Sequence, residues 1–333
     1  MSYRQNVIDA LNHKTTEHTP WIFEVTRGFV QNYKAKYPCE DVEADLKSHA
    51  LFGRSKRMHF IREDLYEDLF GVQWQLGEDG GDIGTPINQL VNEDNVETWE
   101  FPATDEKMLE EGLSLMRNDK EHFRMFRMTY SMYERAWSLM GMQELLMNMA
   151  MDEPCAMRLM ERVCEYEMNL LDRVLDEDFE GVYFGDDWGS QHGLIMGPAI
   201  WRKYIKPFMK EMFDKVHSKG KYVLLHCCGY IEDLFPELIE IGLDCYNTVQ
   251  PELYDLAKIK KEYGKDLTFW GAISNQQFLP HSTPEEVFEH SVKTIRLLGE
   301  GGGYLFSPTH ALTPDIPPEN IRAMLAAAES VTW

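Results

Sequence analysis

The stretch Lys221-Tyr-Val-Leu-Leu-His-Cys-Cys-Gly229 runs from strand-like residues, Tyr222 to Leu225, into three side chains of metal-binding type and a glycine stop. On an extended strand, residues i and i+2 share a face, so His226 and Cys228 point one way and Cys227 the other. An imidazole beside a soft thiolate is two-thirds of a catalytic zinc site. Cysteine is also among the most buried residue types, so plain core packing is the competing reading of the same string. No third ligand stands nearby in the sequence.

Outward from this stretch the pattern is regular. Residues 221–225 read as a strand and 231–241 as a helix. Strand 244–249 precedes helix 253–263, strand 267–273 precedes helix 283–298, and strand 301–307 precedes helix 318–330. Upstream, helices are predicted over 3–12, 41–52, 103–119, 130–141, 151–178 and 198–219. Strands are predicted over 21–25, 71–75, 123–129 and 179–185, and Glu78 to Pro86 reads as a turn-rich solvated hairpin. In the run beyond Gly141, Met142, Leu145, Leu146 and Met149 are expected to be mostly core. Strand then helix at intervals of about 25–35 residues is the rhythm of a parallel sheet. The chain has no G-x-G-x-x-G and no P-loop, and no Pro- or Ser-rich linker divides it. The expected fold is α/β: a (β/α)8 TIM barrel with N-terminal extensions and loop excursions, residues 1–333 forming a single domain.

The 333 residues carry 33 Lys and Arg against 56 Asp and Glu, a formal net charge of -23. Nucleic-acid binding needs the opposite balance. No apolar run reaches membrane-spanning length and the first residues show no hydrophobic targeting segment, so a cytoplasmic location is expected. Six cysteines are too few for a disulfide scaffold and suit a reducing compartment.

A barrel places its chemistry at the C-terminal strand ends. Those ends offer Asp186 and Asp187, then His226 to Cys228, then Tyr246 and Asn247, then Trp270 to Gln276, then Ser307 to His310. His310 is the candidate third ligand beside His226 and Cys228, with Glu134 or Asp187 as the alternative. Zinc with one open position lowers the pKa of a bound thiol or water. Asp186 and Asp187 are neighbours on a strand end, so only one can enter the cavity while the other holds a loop or an arginine. Tyr133, Glu134 and Trp137 are candidates for a pocket border. Arg27 reads either as an anion contact or as a solvated loop arginine.

Several strings carry a family resemblance: Tyr133-Glu-Arg-Ala-Trp-Ser-Leu139, Gly185-Asp-Asp-Trp-Gly-Ser-Gln191, His226-Cys-Cys-Gly229, Gly271-Ala-Ile-Ser-Asn-Gln-Gln277, Thr283-Pro-Glu-Glu286, Gly302-Gly-Tyr-Leu-Phe-Ser-Pro-Thr-His310 and Pro314-Asp-Ile-Pro-Pro-Glu-Asn-Ile321. Over nearly its whole length the chain resembles the uroporphyrinogen decarboxylase superfamily, closer to its corrinoid-linked zinc methyltransferases than to true uroporphyrinogen decarboxylase. The resemblance implies Zn2+ at His226 and Cys228, completed by His310 where that branch usually has a second cysteine. It implies a methylcorrinoid carried on a partner corrinoid protein, and a small-molecule acceptor, a thiol or related. Asp187, Glu134 and His310 are then the catalytic candidates, and Tyr246, Asn275, Trp188 and Arg27 the cofactor-binding ones. A homodimer is the assembly the resemblance allows. The other branch implies a metal-independent decarboxylase of a uroporphyrinogen-like or other carboxylated substrate. There Arg27 stands without the paired arginines expected to hold substrate carboxylates.

Overall fold

The computed structural model describes residues 2–54, 59–77 and 84–333. Residues 78–83, most of the expected hairpin, lie outside the described residues. The described part of that stretch is the short strand Gly84–Pro86. The chain forms two compact units, one built from Phe52–Asn118 and Met125–Gly242, the other from Met1–Leu51, Asp119–Arg124 and Leu243–Trp333.

In the first unit the central strand is Gly181–Gly185, buried throughout. It pairs in parallel on one side with residues 125–129, Met125 opposite Gly181. On its other side runs Tyr222–His226, with His226 opposite Gly185. The runs Val-Tyr-Phe and Val-Leu-Leu suit a sheet covered on both faces. Val182, Phe184, Val223 and Leu225 are fully buried, each contributing about 1.5–3 kcal/mol. The helix Pro154–Val174 buries a stripe that includes Leu159, Val163, Leu170 and Leu171 and packs against the helix Lys206–Ser218. Pro154 opens it at a position where the missing N–H costs nothing. A separate antiparallel sheet joins His59–Arg62, Leu65–Glu67, Gln73–Leu76 and Gly84–Pro86.

In the second unit Cys245–Val249, Thr268–Ile273 and Tyr304–Pro308 are parallel neighbours. The helices Leu256–Tyr263, Pro284–Gly299 and Pro318–Ser330 follow them in turn. Thr283 and Glu286 form a reciprocal capping box at the start of the middle one. The 21–25 segment forms two isolated parallel bridges, Trp21 to Phe306 and Val25 to Leu312. Parallel strands alternate with helices in both units, the α/β organisation expected. No described helix is long and apolar enough to cross a membrane.

Three local expectations are corrected. The helix expected over 41–52 is only Val42–Asp45, ending at left-handed Lys47, and Ala50–Arg54 is a strand. His49 N–H donates to the carbonyl of Trp21 at 2.9 Å, so pairing overrides local helix propensity there. The helix expected over 198–219 is two, Gly197–Tyr204 and Lys206–Ser218. Pro207 lacks an N–H and its ring disfavours a helix continuing from before it. Of the methionine-rich run, Leu145 and Met149 are buried, while Met142 is 40% exposed. The helix Met142–Met151 buries one narrow face and leaves the rest to solvent.

Candidate metal centre

Two strand ends of the first unit build the site. Gly185 ends one strand and Asp186, Asp187 and Trp188 follow; His226 ends its neighbour and Cys227 and Cys228 follow. Because the strands are parallel and in register, the two ends emerge side by side. Asp187 Oδ1 accepts the backbone N–H of Cys228 at 2.7 Å. Cys228 Sγ lies 3.3 Å from His226 Nε2, and His226 Nε2 lies 3.8 Å from Asp187 Oδ1. One potential ligand atom from each of the three residues falls within 4.8 Å of the others.

Two glycines allow this approach. Gly229 has φ +83, and a Cβ on it would stand 2.6 Å from the backbone nitrogen of Ser190. A Cβ on Gly189 would stand 2.5 Å from the carbonyl oxygen of Cys228. Only backbones without side chains can run this close. Tyr230 N–H donates to Ser190 O at 2.9 Å across the same contact.

Asp186 and Asp187 diverge. Asp186 is fully buried. Its carboxylate accepts the backbone N–H groups of Met132 at 3.2 Å, Tyr133 at 3.0 Å and Glu134 at 2.8 Å. Those are the unpaired donors at the start of the helix Tyr133–Met140, so Asp186 caps it from a distant strand. Trp188 Nε1 donates to the same carboxylate. Burial pushes Asp186 up and these hydrogen bonds pull it down, leaving it at about 6. Trp188 itself is fully buried and packs edge-on against Trp201 at 5.6 Å.

Cys227 is fully buried, its Sγ accepting Trp188 N–H at 3.2 Å. Burial, followed by the charge of Asp187, pushes the Cys228 thiol well above its ordinary value, and Glu134 adds in the same direction. Half-buried Glu134 therefore lies within electrostatic reach of the cluster.

The donor set fits zinc. Tetrahedral ligands at zinc's usual bond lengths stand about 3.3–3.8 Å apart, and the separations from His226 to Cys228 and to Asp187 are 3.3 and 3.8 Å. A nitrogen, a sulfur and an oxygen donor together suit a borderline-soft cation. A thiol held protonated by burial and by a neighbouring carboxylate becomes a ligand when a divalent cation balances the charge.

The family model described as uroporphyrinogen decarboxylase (URO-D) matches residues 68–331. The chain belongs to the uroporphyrinogen decarboxylase family. Uroporphyrinogen decarboxylase from Trichlorobacter lovleyi is 23% identical over 171 residues, covering 50% of this chain and 46% of that relative. The methylated-thiol–coenzyme M methyltransferase of Methanosarcina mazei is 20% identical over 143 residues, covering 42% of this chain and 35% of that relative. The matches thus span about half or less of these relatives' length. A solved structure titled methyltransferase from Methanosarcina mazei superposes with a TM-score of 0.75 at 14% identity, covering 99% of this chain and 98% of that one. That likeness is one of fold.

Of the other expected residues of this URO-D family chain, Arg27, Tyr246, Asn275 and His310 belong to the second unit. Arg27 is exposed and opens the helix Arg27–Lys36 behind the capping hydroxyl of Thr26. Tyr246 is fully buried with its hydroxyl 2.9 Å from that of Tyr254. Asn275 clamps the loop after the last strand: its Nδ2 donates to the carbonyls of His310 and Ala311 at 3.0 Å each. His310 is exposed, and its backbone N–H donates to Asn275 Oδ1 at 3.3 Å.

Sequence reading missed the paired glycines, whose role depends on a neighbour 40 residues away in the chain. It also missed Glu167, for which a signal existed. Glu167 sits on the apolar stripe of its helix, between Val163, Cys164, Leu170 and Leu171, where a charge is out of place.

Proposed function

We propose that this chain is a zinc-dependent methyltransferase of the uroporphyrinogen decarboxylase family, moving a methyl group between a corrinoid carried on a partner protein and a small thiol-type acceptor. The observation that carries the reading is the Asp187, His226 and Cys228 cluster, with spacings that match a tetrahedral ion. The likeness to a protein named methylated-thiol–coenzyme M methyltransferase supports it. On this reading the fold is of the (β/α)8 barrel class.

Asp187, His226 and Cys228 would hold the zinc, three protein ligands being the usual number for a catalytic site. When bound, zinc supplies positive charge that lowers the pKa of a thiol in the fourth position. Asp187 has a second task, because the same Oδ1 that faces His226 also fixes the backbone of Cys228. Glu134 takes the proton of the incoming thiol on its carboxylate. Its backbone N–H is tied to Asp186, which holds it at the helix start. His310 is not required as a ligand on this reading.

The test is metal analysis of protein purified without chelator, with His226→Ala beside the wild type. About one zinc per chain, lost in the variant together with methyl transfer to a thiol from a methylcorrinoid, is the expected result. Zinc well below one per chain, unchanged in His226→Ala, would end the reading in favour of the metal-independent decarboxylase.

A further inference from the structure

Gly185, the last residue of the central strand of the first unit, lies opposite His226 on one neighbouring strand and opposite Thr129 on the other. Residues opposite one another on parallel strands turn to one face, and so do residues two apart along a strand. Two contacts identify that face. The ring of Tyr183, two residues before Gly185, meets the ring of His226 edge-on at 6.3 Å. The Thr129 methyl lies 3.8 Å from where a Gly185 Cβ would stand. Tyr183, Thr129, His226 and Asp187 thus frame a central position that has no side chain of its own.

Nothing in the backbone calls for glycine there. A glycine inside a strand weakens it, and it marks a bulge, a tight bend, a closely approaching backbone or a ligand. Both neighbouring strands pair with residues 181–185 without a shift of register, which removes the bulge. Gly185 lacks the positive φ of Gly229. A Cβ on it would meet Thr129 Cα at 3.6 Å, Thr129 Cγ2 at 3.8 Å and Met128 O at 3.9 Å, all ordinary contacts. On Gly181, same strand and same face, a Cβ would stand 2.8 Å from Leu224 Cδ1 and 3.0 Å from Tyr222 O. Gly181 is therefore required by packing, and Gly185 is not. A ligand is the reason that remains. The niche is reached from solvent, since the side chains of His226 and Asp187 on its border are 19% and 35% exposed. Its nearest walls stand at contact distance from a single carbon, so it takes one CH2 or CH3 and leaves no room for a branch.

We propose that Gly185 sets the specificity of the site for an unbranched primary thiol, the carbon next to the acceptor's sulfur packing into the space of the missing side chain between Thr129 and His226. This role rests on the methyltransferase reading, which brings the sulfur to the cluster of Asp187, His226 and Cys228; the carbon one bond away then falls beside His226.

Calorimetric titration of the zinc-loaded chain with 1-propanethiol tests it, with 2-propanethiol as the isomer branched next to sulfur. The wild type is expected to bind 1-propanethiol at one site and 2-propanethiol about fivefold or more weaker. Gly185→Ala fills the niche and is expected to weaken 1-propanethiol by about tenfold or more. Its zinc affinity is expected to stay within about threefold, because the added carbon's nearest neighbours are Thr129 and Met128 and not a metal ligand. Its melting temperature is expected to equal or exceed that of the wild type, because alanine loses less backbone freedom on folding. A chain made more stable yet poorer at binding the thiol separates this role from a structural one. Melting several degrees lower in Gly185→Ala would show that the fold itself needs the glycine and would overturn the role. Undiminished 1-propanethiol affinity in that variant, or no thiol binding to the zinc-loaded wild type, does the same. Equal affinity for the two isomers overturns the restriction to unbranched thiols. Zinc well below one per chain in the wild type defeats the methyltransferase reading and this role with it, whereas the other outcomes, read on zinc-loaded protein, defeat this role alone.

Discussion

Asp187 Oδ1 accepts the backbone N–H of Cys228 at 2.7 Å while standing 3.8 Å from His226 Nε2. One carboxylate oxygen thus binds the loop that carries the thiol and faces the imidazole beside it. Asp187→Asn keeps an acceptor but gives up the negative charge. It is expected to weaken zinc binding by about 10–100-fold, whereas Cys228→Ala removes a ligand and is expected to weaken it further. Competition with a chromophoric chelator measures both. Equal zinc affinity in wild type and Asp187→Asn would remove Asp187 from the site.

The two glycines make a second prediction. Gly229→Ala places a Cβ at φ +83 against the backbone of Ser190. The loops bearing Asp187 and Cys228 must then part, at a cost of about 3 kcal/mol. Urea unfolding should show that loss, and zinc affinity should drop with it. A variant as stable as the wild type would mean that the loops are not in such close contact.

Removing the Asp186 carboxylate leaves three backbone N–H groups and the Trp188 indole without their acceptor in a fully buried place. Asp186→Ala is expected to cost about 3–5 kcal/mol. Asp186→Asn, which retains one acceptor oxygen, is expected to cost about 2 kcal/mol. Chemical denaturation ranks the two. The reverse order would show that Asp186 does not cap the helix at Tyr133.

Glu167 provides a pH signature. Its folded pKa of about 8 lies above the ordinary 4.5, because burial disfavours the charge. Between those values the folded chain keeps a proton that the unfolded chain has released, so this group's contribution to stability falls as pH rises. Glu167→Gln cannot ionise. Its stability relative to the wild type is expected to rise by a few kcal/mol, on the order of 3–5, between about pH 5 and pH 9. A difference that stays constant with pH would show that Glu167 titrates normally.

Much of the fold was legible because hydrophobic runs and helical stripes repeat at the intervals of a parallel α/β chain. Residues 123–129 and 318–330 match the structure to the residue. The failures came where a local pattern was outvoted. Residues 50–52 have helical composition on their own, yet they sit in a strand that follows His49, whose N–H is bonded to Trp21. Pro207 punctuates a helical pattern that periodicity alone reads as continuous.

The site divides the same way. Strand alternation within one segment determined that His226 and Cys228 share a face, since the period of two is a property of the backbone. The separate tasks of Asp186 and Asp187 follow from the same period. Which distant group joins the pair is a different kind of fact. Asp187 stands beside Cys228 because Gly185 is in register with His226 and because Gly189 and Gly229 let two backbones touch. Arg135 and Glu167 likewise share a cleft only because the helices Tyr133–Met140 and Pro154–Val174 pack together. The sequence by itself determined the elements and the His226–Cys228 pair, which depend on neighbours along the chain. Tertiary structure alone decided the third member of the cluster and the cleft, because both depend on register between segments that no local period encodes.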